Sequence, residues 1–164
     1  MKYIIPAIIL LVLIGAAVMA RPGSDSATSD ASIVPSGEPG VLVAQDMTHD
    51  FGSISMANGN VSKKFVVKNT SQDSVELSKL YTSCMCTTAT LNMTDGQKGP
   101  FGMPGHASIP SLRETVAPGE EFEIEAIFDP NAHGPAGVGP IERVVILEYE
   151  GGTLELGFKA TVTP

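Results

Sequence analysis

The chain has 164 residues, with 10 Lys and Arg against 18 Asp and Glu and a net charge of −8 with histidine neutral. About forty N-terminal residues lack globular composition, which leaves one domain with one core. The acidic balance is spread rather than blocked and argues against nucleic acid or anionic lipid headgroups as partners.

Tyr3 to Ala20 carry no charge and are flanked by Lys2 and by Arg21-Pro22. As a helix this run would be about 27 Å long, short for a hydrocarbon core of about 30 Å, and Pro6 falls in the first turn, where it is tolerated. Two readings fit residues 1–20: a retained membrane anchor through residues 3–20, or a secretory signal with Val18-Met19-Ala20 near the cleavage pattern. Either one puts the rest of the chain outside the cytoplasm, membrane-anchored in the first case and secreted or periplasmic in the second. Residues 21–40, built of Ser, Pro, Gly, Asp and Ala, cannot bury enough apolar surface to offset their ordering entropy and read as a flexible stalk.

Residues 41–164 follow period two. Strands are expected at Val41 to Ala44, Phe51 to Met56, Val61 to Lys68, Val75 to Thr82 and Thr87 to Leu91. Phe122, Ile124, Ala126 and Phe128 alternate with glutamates behind a Pro118-Gly119 turn suited to type II geometry. Ile141 to Glu150 and Leu154 to Val162 form a hairpin through Gly151-Gly152. Seven to eight short strands and no amphipathic helix predict an all-β, immunoglobulin-like antiparallel β-sandwich behind an N-terminal hydrophobic helix. Two long loops are expected, Asn92 to Pro110 and Pro130 to Pro140, a length at which loops often carry function.

The residues with chemistry are Cys84 and Cys86, in Ser83-Cys84-Met85-Cys86-Thr87. On an extended segment their side chains share a face, about 6.6 Å apart at Cα, so a bond between them would be strained and reducible. Three states are open: a free dithiol, a labile redox pair, or two soft metal ligands. The long loops add Met103, His106 and His133, and thiolate, thioether and imidazole together suit Cu(I), or Zn(II) if the thioethers are set aside. Against this stand ordinary packing roles for buried Cys and gap-filling Met, and His49 beside Asp50 reads as structural. No Gly-x-Ser-x-Gly, His-Glu-x-x-His or phosphate-binding glycine loop occurs, so a conventional enzyme is not expected. The sequons at Asn60, Asn69 and Asn92 carry no weight, because such tripeptides are frequent by chance.

The series His49-Asp50-Phe51-Gly52-Ser53-Ile54, Phe65-Val66-Val67-Lys68-Asn69-Thr70, Ser83 to Thr87, Ala117-Pro118-Gly119-Glu120 and Phe128-Asp129 resembles a bacterial family known as domain of unknown function 1573. The resemblance runs from about residue 46 to 162. It implies an immunoglobulin-like sandwich related to the ASPM, SPD-2 and Hydin type domains, usually exported and with no established activity. The family usually has Gly where this chain has Met85, and the glycine-rich loops look like elaborations of the common pattern. The functional expectation is a non-catalytic structural or protein-interaction module of the cell envelope. The alternatives are a Cu(I)-handling protein using Cys84, Cys86, Met103, His106 and His133, and a thiol-disulfide redox protein using the cysteine pair.

Overall fold

The computed structural model describes residues 40–164. The expected N-terminal helix and nearly all of the stalk lie outside them. Ten strands form two five-stranded sheets. The first has the order β1 (Leu42–Ala44), β3 (Val61–Asn69), β8 (Glu121–Phe128), β5 (Thr87–Met93), β6 (Gly96–Phe101). The second runs β2 (Thr48–Ser55), β10 (Gly152–Thr163), β9 (Gly139–Tyr149), β4 (Val75–Thr82), β7 (Glu114–Val116). All pairs are antiparallel except β2 with β10. The result is an all-β sandwich of immunoglobulin type, with ten strands rather than seven to eight. Among the described residues no helix is long and apolar enough to cross a membrane.

The alternation works as expected. Phe65 and Val67 of β3, Phe122, Ile124, Ala126 and Phe128 of β8, and Leu154, Leu156, Phe158, Ala160 and Val162 of β10 all turn inward and are buried. Each large side chain removed from water contributes about 1.5–3 kcal/mol, so the facing sheets supply the main stabilising term. The glutamates of β8 stay on the outer face, where Glu121 and Glu123 meet Lys68 and Lys64 of β3 across the strand pair. Exposed pairs of this kind add little stability each.

Where strand boundaries depart from expectation, the cause is local. The stretch expected as one loop from Asn92 to Pro110 begins as a hairpin: Met93 pairs with Gly96, whose φ is 138°, and β6 runs back along β5. The irregular segment is therefore 102–113. In β4 the inward residues are Leu77 and then Leu80, because the register shifts between Leu77 and Lys79, and Leu112 N–H bonds the Ser78 carbonyl there. The β9–β10 turn falls one residue earlier than predicted, with Tyr149 opposite Gly152 and only Gly151 at positive φ. Gly152 is needed for space instead, since a Cβ there would lie 2.9 Å from the Tyr149 hydroxyl.

One polar residue organises a sandwich end. The fully buried Asn69 amide donates to the carbonyls of Asp73, Val116 and Ala117, and its Oδ1 accepts from Ser71 N–H and Oγ. The Pro118-Gly119 turn forms as expected beside it: Gly119 has φ 75° and its N–H bonds the Asn69 carbonyl. His49 stacks edge-on against Phe51, ring centroids 4.5 Å apart, in keeping with a structural role.

Candidate functional site

Cys84 and Cys86 lie where the chain leaves β4 in one sheet and enters β5 in the other, a crossing made in four residues. That demand overrides the extended geometry expected from sequence. Thr87 N–H bonds the Cys84 carbonyl and closes a turn, while the buried Thr82 hydroxyl lies 3.0 and 2.9 Å from the carbonyls of Cys84 and Thr87. The Cα atoms of the two cysteines are thus 5.2 Å apart, and their sulfurs are joined as a disulfide. Both cysteines are buried and Met85 is exposed; the cysteines share a face as expected, but a turn rather than a strand produces that arrangement.

The turn is clamped from both sides. Ser83 exchanges bonds with Val144 of β9, N–H to carbonyl and Val144 N–H to Ser83 Oγ, and Asp129 N–H at the end of β8 bonds the Cys86 carbonyl. Past Asp129 the chain turns tightly. The Asp129 carboxylate accepts from Asn131 N–H, the Asn131 amide bonds the Met56 carbonyl at 2.7 Å, and a short 3₁₀ turn, Gly134–Gly137, follows. His133 caps that turn and sets Nε2 3.4 Å from Cys84 Sγ. The second sulfur has its own neighbour: Arg143 Nε donates to Cys86 Sγ at 3.1 Å.

Of the five residues predicted as a metal shell, Cys84, Cys86 and His133 converge, with their ligand atoms all within 4.8 Å of one another. His106 does not join them. It is exposed in a separate turn, where its N–H and that of Ala107 both bond the Met103 carbonyl. Met103 is half-buried in that turn, and the turn is tied to β4 by Thr82 N–H bonding the Gly102 carbonyl at 3.1 Å. The loop that follows β6 therefore has its own local closure, which the Gly/Pro-rich sequence could not distinguish from a ligand-bearing arm.

Arg143 is the residue that sequence reasoning missed. Along β9 the inward positions are Ile141, Val145, Leu147 and Tyr149, all buried, and Arg143 holds the position between the first two, opposite the buried Phe158 of β10. A cation in the apolar phase of a strand is the signal that could have found it. With its second donor, Nη1, the guanidinium bonds the Glu142 carbonyl at 2.6 Å. Among the described residues no carboxylate lies within 4.0 Å of it.

The comparisons with known proteins bear on the cysteine turn directly. Residues 42–102 match the family described as Protein of unknown function (DUF1573). The resemblance read from the motif series is borne out over that span, which holds β1 to β6 and both cysteines. His133 and Arg143 lie beyond the DUF1573 segment. No curated protein matches the chain. Among solved structures, a protein of unknown function from Porphyromonas gingivalis W83 is similar with TM-score 0.54 at 14% identity, over 74% of this chain and 46% of that one. The ASH / PapD-like domain of human CEP192 gives 0.45 at 10% identity, over 87% and 98%. The VesB protease of Vibrio cholerae gives 0.44 at 14% identity, over 76% and 32%. The P. gingivalis likeness is one of fold alone, and this chain spans less than half the length of the P. gingivalis and Vibrio proteins.

Proposed function

We propose that this chain is a non-enzymatic module of the cell envelope, placed outside the cytoplasm by the apolar run at residues 3–20, and that it binds a protein partner at the cysteine end of the sandwich. The observation that carries this reading is Met85. Its side chain is 50% exposed at the tip of a turn held by a disulfide and by hydrogen bonds to β8 and β9. Because the backbone beneath it is already fixed, a partner has only the Met85 side chain to order on binding. Val138, 44% exposed, projects from the neighbouring β8–β9 connection, which reaches the same end of the sandwich. A photo-crosslinking residue placed at position 85 of the full chain in its native cells tests the proposal, with position 159 on the exposed side of β10 as comparison. Adducts to a discrete protein from position 85 only are expected, and Met85→Asp should remove the association. Equal labelling from both positions, or none, would sink the idea.

A second reading rests on the converging ligand atoms. Once reduced, Cys84 and Cys86 with His133 would offer two thiolates and an imidazole to a soft ion. The guanidinium 3.1 Å from Cys86 Sγ opposes a divalent ion more than a monovalent one, which favours Cu(I) over Zn(II). Titrating the reduced full chain with Cu(I) against a competing chelator should show affinity lost in Cys84→Ser/Cys86→Ser and weakened about tenfold or more in His133→Ala. Affinity unchanged in the double variant excludes the reading.

A further inference from the structure

We propose that Cys84–Cys86 is a redox-active disulfide of fixed polarity, in which an incoming thiolate attacks Cys84 and Cys86 leaves as a thiolate paired with Arg143.

Three observations converge on this assignment. The first is access: Cys84 is 9% exposed beside the exposed His133, whereas Cys86 is 2% exposed behind the turn. The second is charge. Arg143 is half-buried at an inward position of β9, no carboxylate pairs with it among the described residues, and its Nε–H is aimed at Cys86 Sγ. A guanidinium partly removed from water gains little from a neutral disulfide sulfur, which is a weak acceptor. A thiolate at the same point would give it a charge-assisted partner, so the cation is arranged for the reduced state. The third is His133, whose Nε2 lies 3.4 Å from Cys84 Sγ and in the Nε2–H tautomer donates to that sulfur. Each sulfur thus has a different neighbour, suited to a different step.

The exchange balances with a protein dithiol as co-reactant. Its first thiolate forms a bond to Cys84 Sγ, the bond between Cys84 and Cys86 breaks, and the electron pair leaves on Cys86 Sγ against Arg143. The second thiolate of the dithiol then attacks its own sulfur in the mixed disulfide and releases Cys84. Two electrons pass from the dithiol to the cysteine pair, one of its protons goes to Cys84 and the other to solvent while Cys86 stays a thiolate against Arg143, and the co-reactant becomes a disulfide. The reverse sequence oxidises the pair. Leaving-group stabilisation and access both govern such rates, and here they select the same direction of attack.

The test uses the purified full chain, oxidised with glutathione disulfide, reacted with reduced glutathione, quenched in acid and alkylated, with the adducts mapped by mass spectrometry. Glutathione on Cys84 with the alkyl label on Cys86 should exceed the reverse arrangement about tenfold. An equal or inverted distribution overturns the polarity, and two alkyl labels on the oxidised chain before glutathione is added overturn the disulfide itself. In Arg143→Gln the reaction should slow about tenfold, the effect of a leaving thiolate that has lost its charged partner, and Arg143→Lys should recover much of the rate. A wild-type rate in Arg143→Gln would remove Arg143 from the step. The mapping on the unaltered chain stands even if that variant does not fold.

Discussion

Asn69 shows how much one side chain can hold. Its amide reaches the carbonyls of Asp73 in the β3–β4 connection, of Val116 at the end of β7 and of Ala117 just after it, and its oxygen takes two donors from Ser71, so every bonding site of a fully buried group is used. Asn69→Ala would leave those carbonyls without their donor, and we expect a loss of about 2–4 kcal/mol by urea unfolding. A loss below about 1 kcal/mol would show that water replaces the amide. In sequence this residue stood out as one of three sequons and as a member of the Phe65 to Thr70 motif, and neither sign shows its role. Arg143 was legible in principle as a cation in the apolar phase of β9, but its sulfur partner lies 57 residues away, and no local pattern encodes that meeting.

Among elements, the open side of the sandwich between β6 and β7 depends on charge. Lys98 of β6 binds Glu114 of β7 at 2.8 Å and Asp95 of its own hairpin at 3.0 Å, linking the edge strands of the two sheets. The Glu114 hydrogen bond, then that of Asp95, raises the Lys98 amine above its ordinary value of 10.5. A raised folded value means this contribution is present below the ordinary lysine value and is lost as pH rises through the folded one. Stability of the wild-type chain should therefore fall above about pH 10.5 more steeply than that of Lys98→Met, followed by circular dichroism. Parallel alkaline limbs would show that solvent screens the pair. The β5–β6 hairpin that carries Lys98 was hidden by glycine and proline, because a tight turn and an irregular loop draw on the same residues.

For the molecule as a whole, the disulfide is not what keeps the sheets together. It closes a ring across a single intervening residue, so the unfolded chain loses little freedom through it, and its removal costs about 1.5 kcal/mol. The core of Phe65, Leu77, Leu80, Leu91, Ile124, Leu147 and Leu156 spans both sheets without it. Reduction should lower the Tm by less than about 10 °C and leave one cooperative transition. Loss of that transition on reduction would mean that the turn, and not the core, sets the fold. A pair that can be reduced without unfolding is what both the exchange reaction and Cu(I) capture require.

The inside and outside of β3, β8 and β10 could be read from the chain alone, because a period of two is a local property and burial rewards it at every step where no register shift intervenes. The alternation of β8 is found as expected, and β4 keeps its predicted bounds, Val75 to Thr82, although its register shifts within them. The geometry at Cys84 and Cys86 belongs to the tertiary structure. Their spacing permits an extended segment or a turn, and only the need to pass from one sheet to the other within four residues selects the turn. The same holds for their company: of the candidates offered by composition, His133 arrives because the β8–β9 connection ends at the same end of the sandwich, while His106 is drawn into a turn of its own. Which side chains surround a sulfur is set by sheet order and register, and those depend on the whole set of inward-facing residues at once.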